Sequence, residues 1–208
     1  MKPDSLIFDL DGTLWDSTEG ILATWAMILK DRPEIHKVVT REDMESNFGR
    51  PIYEIGARLF PDQSEEVVRS LMDECNRREN DYLAEHGALL YPHLEETLKT
   101  LSEHIPLFIV SNCQIGYIES FFKSHHTDVY FKDHESMGAT GLSKGENIRL
   151  VMERNGLKHP AYMGDTQGDA DAAAFAGIPF IYARYGFGQV DHFDLAVDHF
   201  EELLQLID

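Results

Sequence analysis

The chain has little that would tie it to an oxidising compartment, a nucleic acid or a membrane. Two cysteines, Cys75 and Cys113, occur in 208 residues. With no CxxC spacing between them, neither a disulfide framework nor a zinc site is indicated, and a reducing compartment is expected. Basic residues are scarce, since 18 Lys and Arg stand against 37 Asp and Glu for a formal net charge of -19. A surface of that sign repels nucleic acid and anionic membranes, and no basic run of five overrides it. Long apolar runs are missing too. The start, Met1-Lys2-Pro3-Asp4-Ser5, leads only into Leu6-Ile7-Phe8, far shorter than a signal peptide or a membrane span. The expectation is a soluble cytoplasmic protein with no nucleic-acid or membrane partner, whose acidity serves solubility.

What is present is enough apolar material for a core, at 43% hydrophobic and 11% aromatic residues. Short apolar runs bounded by turn residues recur at Leu6-Ile7-Phe8, Leu107-Phe108-Ile109-Val110, Val129-Tyr130-Phe131, Ala161-Tyr162-Met163 and Ile178-Pro179-Phe180-Ile181. Helical patterns separate most of them: Ile115, Ile118, Phe121 and Phe122; then Ile148, Val151 and Met152, closed by Gly156; then Ala170 to Ala176, closed by Gly177. Strand alternating with helix argues for an α/β fold built on a mostly parallel sheet covered on both faces. A final helix would present Phe200, Leu203, Leu204 and Ile207 on one side. From about Ser17 to His86 the alternation stops. Ile21, Leu22, Trp25, Ile28 and Leu29 repeat at helical spacing, as do Val67, Val68, Leu71, Met72 and Cys75 after a Ser64 N-cap. Thr40-Arg41-Glu42-Asp43 reads as another helix start. The expected division is a core of residues 1–16 and 87–208 with a helical domain, 17–86, inserted as a lid over the strand ends.

The most informative stretch is Phe8-Asp9-Leu10-Asp11-Gly12-Thr13-Leu14, where the first strand meets a loop. On an extended backbone residues i and i+2 point the same way, so Asp9 and Asp11 would face one ligand together before Gly12 turns the chain. Two carboxylates at about 4 Å repel by about 4 kcal/mol at an effective dielectric of about 20. Either one is protonated or a cation lies between them, and Mg²⁺, a hard, oxygen-preferring ion, suits carboxylates shared with a phosphate. Three more signals fall at later strand ends. Val110-Ser111-Asn112 offers a hydroxyl and backbone N–H groups to phosphate oxygens. Lys144 stands where it would neutralise charge between phosphate and carboxylate. Gly164-Asp165-Thr166-Gln167-Gly168-Asp169 places two more carboxylates where a strand opens into a helix. Each alone has an ordinary explanation: a turn, a loop, a solvated lysine, or acids capping a helix. Their order along the chain, nucleophile, hydroxyl, cation and metal ligand, is what carries weight.

In that order the four sets resemble the motifs of the haloacid dehalogenase superfamily of hydrolases. Asp9-Leu10-Asp11-Gly12-Thr13 is similar to the first motif, Ser111 to the second, Lys144 to the third, and Gly164-Asp165 with Asp169 to the fourth. The helical insertion resembles the cap of the phosphoglycolate phosphatase and β-phosphoglucomutase branch. The resemblance implies a Rossmann-like core with an all-helical cap. It also implies Asp9 as nucleophile, giving an aspartyl phosphate, and Asp11 as general acid and base. Mg²⁺ would be held by the Asp9 carboxylate, the Asp11 backbone carbonyl and Asp165, with Asp169 orienting Lys144 or a metal-bound water. Ser111 and Lys144 would cradle the phosphate, helped by Thr13 and Asn112. A carboxylate at position 11 fits phosphatases and mutases and argues against dehalogenation. Ser143-Lys144-Gly145-Glu146 departs from the Lys-Pro pattern common in this branch.

The substrate class is then a small phosphorylated metabolite, phosphoglycolate-like or a sugar phosphate. A phosphatase leads, with a sugar-phosphate mutase and a non-catalytic binding protein of the same fold as alternatives. Leaving-group choice would lie in the lid. There Asn47-Phe48-Gly49-Arg50-Pro51 is the candidate loop and Arg50 the residue to meet a second anionic group, with a solvated arginine as the ordinary alternative. Tyr53, Arg58 and His86 are further candidates, and His125-His126 reads as an exposed helix end.

Overall fold

A computed structural model describes residues 2–207. The chain starts in β1 (Ser5–Phe8), makes the short β2 (Trp15–Asp16), and enters four helices, α1 (Thr18–Lys30), α2 (Arg41–Glu45), α3 (Ile52–Leu59) and α4 (Glu65–His86). It returns through β3 (Leu89–Leu90) and then alternates: α5 (Leu94–His104), β4 (Leu107–Ser111), α6 (Tyr117–His125), β5 (Phe131–Ser136), α7 (Met137–Thr140), α8 (Lys144–Asn155), β6 (Pro160–Gly164), α9 (Gln167–Ala176), β7 (Phe180–Ala183) and β8 (Leu195–Val197). The sheet order is β5-β4-β1-β6-β7-β8, and every pairing in it is parallel. This is the Rossmann-like α/β architecture that the alternating pattern implies. The order in which strands are added reverses about β1, so β1, β4 and β6 lie side by side with their carboxyl ends at the switch point where such sheets bind ligands.

Strand residues are sorted by parity. Leu6, Phe8, Leu107, Ile109, Ala161, Met163 and Ile181 turn to one face, where they pack with Leu98 and Leu101 of α5, Phe121 of α6, and Phe200 and Leu203. Ile7, Phe108, Val110, Tyr162 and Phe180 turn to the other and meet Ile148 and Val151 of α8 and Ala173 of α9. Both faces are covered, which is why these strands are apolar at every position rather than at alternate ones. Among the described residues no helix is long and apolar enough to cross a membrane.

Helices α1, α3 and α4 build a third core around Trp25, Ile28, Leu71, Met72 and Cys75. Gly56 of α3 allows the close approach, since a Cβ there would stand 2.6 Å from the Met72 Cγ. Local signals set the ends of the helices. The Ser64 hydroxyl accepts from the Val67 N–H at the start of α4, and Thr40 with Asp43 forms a capping box on α2. The two crossings into and out of this helical segment lie together, because β2 and β3 pair antiparallel. Asn80 of α4 donates to the Ile115 carbonyl at 2.8 Å and accepts, at its own carbonyl, from Ser120 of α6 at 2.9 Å.

Three expectations need correction. The strand expected at Val129-Tyr130-Phe131 starts only at Phe131 and runs on to Ser136. Residues Asp128–Tyr130 form a 3-10 turn, and as an edge strand β5 tolerates the polar Lys132, Asp133, His134 and Glu135. The final helix is a 3-10 helix, Phe200–Leu206, so residues three apart share a face. Phe200, Leu203 and Leu206 are buried, rather than the α-helical set with Leu204 and Ile207. His125 is half-buried, accepts from the Ala88 N–H at 3.3 Å and packs edge-on against Trp15, so only His126 is an exposed end.

Truncating a side chain at the centre of the sheet should leave a cavity. For Ile109→Ala, fully buried on β4, a stability loss of about 2–5 kcal/mol is expected in urea unfolding. Ile115→Ala, at a side chain 65% exposed, should stay within about 0.5 kcal/mol. Equal effects would contradict the assigned packing.

Candidate active site

The carboxyl edge of the sheet gathers residues far apart in sequence. Asp9 follows β1, and its N–H donates to the Met163 carbonyl at 2.8 Å, continuing the β1 to β6 pairing. Ser111 closes β4, Asp165 follows β6, Asp169 lies in the first turn of α9, and Lys144 opens α8. All five are buried. Asp9, Asp165 and Asp169 each bring a carboxylate oxygen within 4.8 Å of the others. The Lys144 Nζ stands among them, 2.5 Å from Asp169 Oδ1 and 3.0 Å from Asp9 Oδ1.

Burial sets the ionisation of this group. It pushes Asp9 up to about 7, with Asp169 adding to the rise and Lys144 opposing it. It lifts Asp165 well above the carboxylate range, again with help from Asp169 and then Asp9. Burial works against the Lys144 charge, but Asp169 and Asp9 outweigh it and hold the ammonium above its ordinary range. Three acids share one base in a buried site, so ionising all three would leave an excess of negative charge.

Two loops complete the cradle. Gly12 has a φ of +79°, and a Cβ on it would come within 2.3 Å of Asp165 Oδ2, so the first loop closes on Asp165 only because that residue is glycine. Asp165 Oδ2 also accepts from the Phe187 N–H at 2.8 Å. Asp165 Oδ1 is buried and meets no hydrogen-bond donor among the described residues, and the same holds for the Thr13 hydroxyl. Asp169 does two things at once. Its Oδ2 caps α9 by accepting from the Thr166 N–H and hydroxyl at 3.0 and 2.7 Å, while Oδ1 takes Lys144.

Asp11 lies outside that three-acid group, and its Oδ1 is taken up by other donors where the i, i+2 spacing suggested a carboxylate pair with Asp9. The strand ends at Phe8, and the Leu10 carbonyl accepts from the N–H groups of Thr13, Leu14 and Trp15. The backbone is therefore curling by position 11, and the parity of an extended chain no longer applies. Asp11 Oδ1 accepts from Ser17 Oγ at 2.5 Å, Trp15 Nε1 at 2.9 Å and the Tyr117 hydroxyl at 2.9 Å. Burial pushes its carboxyl up to about 6 against the pull of those three donors.

A cavity of about 50 Å³ lies between the strand ends and the helical segment, room for a few waters. Asp9, Asp11 and Ser111 line it from the sheet, and Trp25, Phe48 and Glu79 from the helices. The helical segment is shut down on it. Asn112, expected as a phosphate helper, donates through Nδ2 to the Gly49 carbonyl at 2.7 Å, and Phe48 stacks on Phe187 with ring centroids 4.6 Å apart. Arg50 lines the cavity but is 42% exposed and paired with Glu54 at 2.6 Å. Tyr53, Arg58 and His86 are not among the lining residues. Sequence reasoning passed over Trp15, Ser17, Tyr117, Glu79 and the loop Gly186-Phe187-Gly188. Only that loop carried a local signal, two glycines just after a strand.

A family model for haloacid dehalogenase-like hydrolases matches residues 6–183. The chain belongs to that family. Among curated relatives, the phosphoglycolate phosphatase of Escherichia coli K12 is 26% identical over 220 residues, covering 91% of this chain and 84% of its own. Among solved structures, a haloacid dehalogenase-like hydrolase from Streptococcus pneumoniae superposes with a TM-score of 0.86 at 20% identity, over 100% of this chain and 99% of that one. CbbY from Rhodobacter sphaeroides, solved with xylulose-(1,5)bisphosphate, gives 0.82 at 18% identity over 99% of each chain. Both structures share the fold.

Lys144 is the sole cation in contact with the acidic cluster among the described residues, and it is buried. With metal removed by a chelator, Lys144→Met should lower stability by about 3–5 kcal/mol in urea unfolding, because it strands buried carboxylates. A loss below about 1 kcal/mol, the value of an exposed ion pair, would contradict the burial.

Proposed function

We propose that the protein is a Mg²⁺-dependent phosphatase that hydrolyses a small phosphorylated metabolite through an aspartyl phosphate on Asp9. The observation that carries this reading is the excess of buried carboxylate at the sheet edge, beside one lysine and a separately held Asp11. The donor set fits Mg²⁺. It consists of hard oxygens without thiol or imidazole, and Asp165 Oδ1 is buried without a hydrogen-bond donor among the described residues. Asp9, Asp165 and the Asp11 backbone carbonyl would hold the ion, with Asp169 steadying Lys144. When bound, Mg²⁺ neutralises the carboxylates and draws charge from the phosphoryl oxygens.

The protein's own groups supply the rest. An Asp9 carboxylate oxygen attacks phosphorus in line, the bond from phosphorus to the ester oxygen breaks, and Asp11 gives its proton to the departing alkoxide. Asp11 then takes a proton from water as that water attacks phosphorus, and the bond to Asp9 breaks to release phosphate. Three donors on Asp11 Oδ1 leave its other oxygen for this proton. Lys144, Ser111 and Thr13 face the phosphoryl oxygens, and the orphaned Thr13 hydroxyl gains a partner there. Asn112 acts instead on the cap, residues 17–86, by fastening Gly49. The relatives named phosphoglycolate phosphatase support phosphate ester hydrolysis.

Phosphate release from p-nitrophenyl phosphate should stop in excess EDTA and return with Mg²⁺. Asp9→Asn should lower kcat by at least about a thousandfold while keeping a cooperative unfolding transition. Full activity in EDTA, or a variant as fast as its parent, would contradict the reading.

A further inference from the structure

Glu79 is a carboxylate that the phosphoryl chemistry leaves unused. It sits on α4, 2% exposed, and lines the same cavity as Asp11. Both its oxygens are already accepting, Oε1 from the Trp25 indole N–H and Oε2 from the Gln114 amide at 3.1 Å. Burial pushes the Glu79 carboxyl up, while the Trp25 and Gln114 donors pull it back; both partners favour the ionised form, and a carboxylate has lone pairs to spare for a third donor. Its charge lies close enough to Asp11 for the two to repel. The surrounding wall is apolar, with Ile21, Trp25 and Ile55. Among the described lining residues the one cation is Arg50, and it is engaged by Glu54 at the surface.

Resting on the phosphatase reading, we propose that Glu79 selects esters whose leaving group carries a hydrogen-bond donor, a hydroxyl or an ammonium, and no second anionic group. A tail of that kind completes the Glu79 acceptor sites. A carboxylate tail would instead bring a second negative charge against Glu79 in a buried pocket whose one lining cation among the described residues is paired with Glu54, where such repulsion is poorly screened. The selection is therefore by rejection as much as by attraction. It separates this chain from what its relatives' names would suggest.

Three esters of one size decide it: phosphoglycolate, 2-hydroxyethyl phosphate and phosphoethanolamine, assayed with the full chain and Mg²⁺. The hydroxyl or ammonium ester should exceed phosphoglycolate in kcat/KM by at least about tenfold, and Glu79→Gln should shrink that ratio by about tenfold. The ratio does not depend on the fraction of variant that folds, and should the variant be insoluble the wild-type ranking decides alone. Phosphoglycolate leading the series, or a ratio unmoved by Glu79→Gln, would overturn the proposal while p-nitrophenyl phosphate turnover left the phosphatase reading standing. Loss of turnover on every ester would overturn both.

Discussion

Three carboxylates buried beside one ammonium form the constraint around which this molecule is arranged. Ionised carboxylates in a protein interior carry a desolvation penalty of several kcal/mol each, and one lysine cannot compensate three. The surroundings meet what they can. Asp169 is anchored by Thr166 and Lys144, Asp165 by the Phe187 N–H, and glycines at positions 12 and 186 bring the loops in close because a Cβ at either would collide with Asp165. What remains unmet is negative charge on hard oxygens. In a chain of net charge -19, a phosphate dianion would depend on local cations, so on the proposed reading the metal that offsets these carboxylates is also the condition for substrate.

Polar and aromatic ties join the helical segment to the sheet edge at the cavity, while Leu83 of α4 packs into the main core. Asn112 reaches Gly49, Phe48 lies on Phe187, and Gln114 bridges Glu79 and Asn80 of α4 at 3.1 and 3.2 Å. Asp11 is tied to the crossing itself, through Trp15 of β2 and Ser17 just before α1. The residue assigned to proton transfer is thus oriented by the strand over which the helical segment joins the sheet. On the proposed reading, a change in that crossing would move the proton donor and so link closure over the substrate to readiness for chemistry.

The sheet was legible in sequence because strands buried on both faces must be apolar throughout, and Leu107 to Val110 and Ala161 to Met163 obey that rule. Edge strand β5 was misplaced because it obeys no such rule. The last helix was misread because a spacing of three, Phe200, Leu203 and Leu206, overlaps an α-helical pattern over so short a span. At the site, strand-end acids and the lysine stood out because charge falls where the apolar runs of the strands stop. Asp165 and Asp169 illustrate how a plain explanation and a functional one coexist, since Asp169 caps α9 with one oxygen and pairs with Lys144 through the other. Ser143 and Glu146 are the counterpart, a capping box on α8, and the departure from Lys-Pro beside Lys144 is Gly145, where a Cβ would stand 2.6 Å from Phe175 Cδ1. Tyr117, Trp15 and Glu79 stayed hidden because their partners lie on other elements. An aromatic or acid at helical spacing looks the same in sequence whether it faces solvent, core or substrate.

The central claim is that phosphorus becomes bonded to Asp9 during turnover. Mixing enzyme, Mg²⁺ and p-nitrophenyl phosphate, quenching in acid within the first turnovers, and sequencing the peptides by mass spectrometry tests it directly. The account predicts a phosphoryl adduct on Asp9 that disappears when unlabelled time is allowed before the quench and the substrate is exhausted. Steady phosphate release with no adduct on Asp9 at any quench time, or with the adduct on another residue, would contradict it.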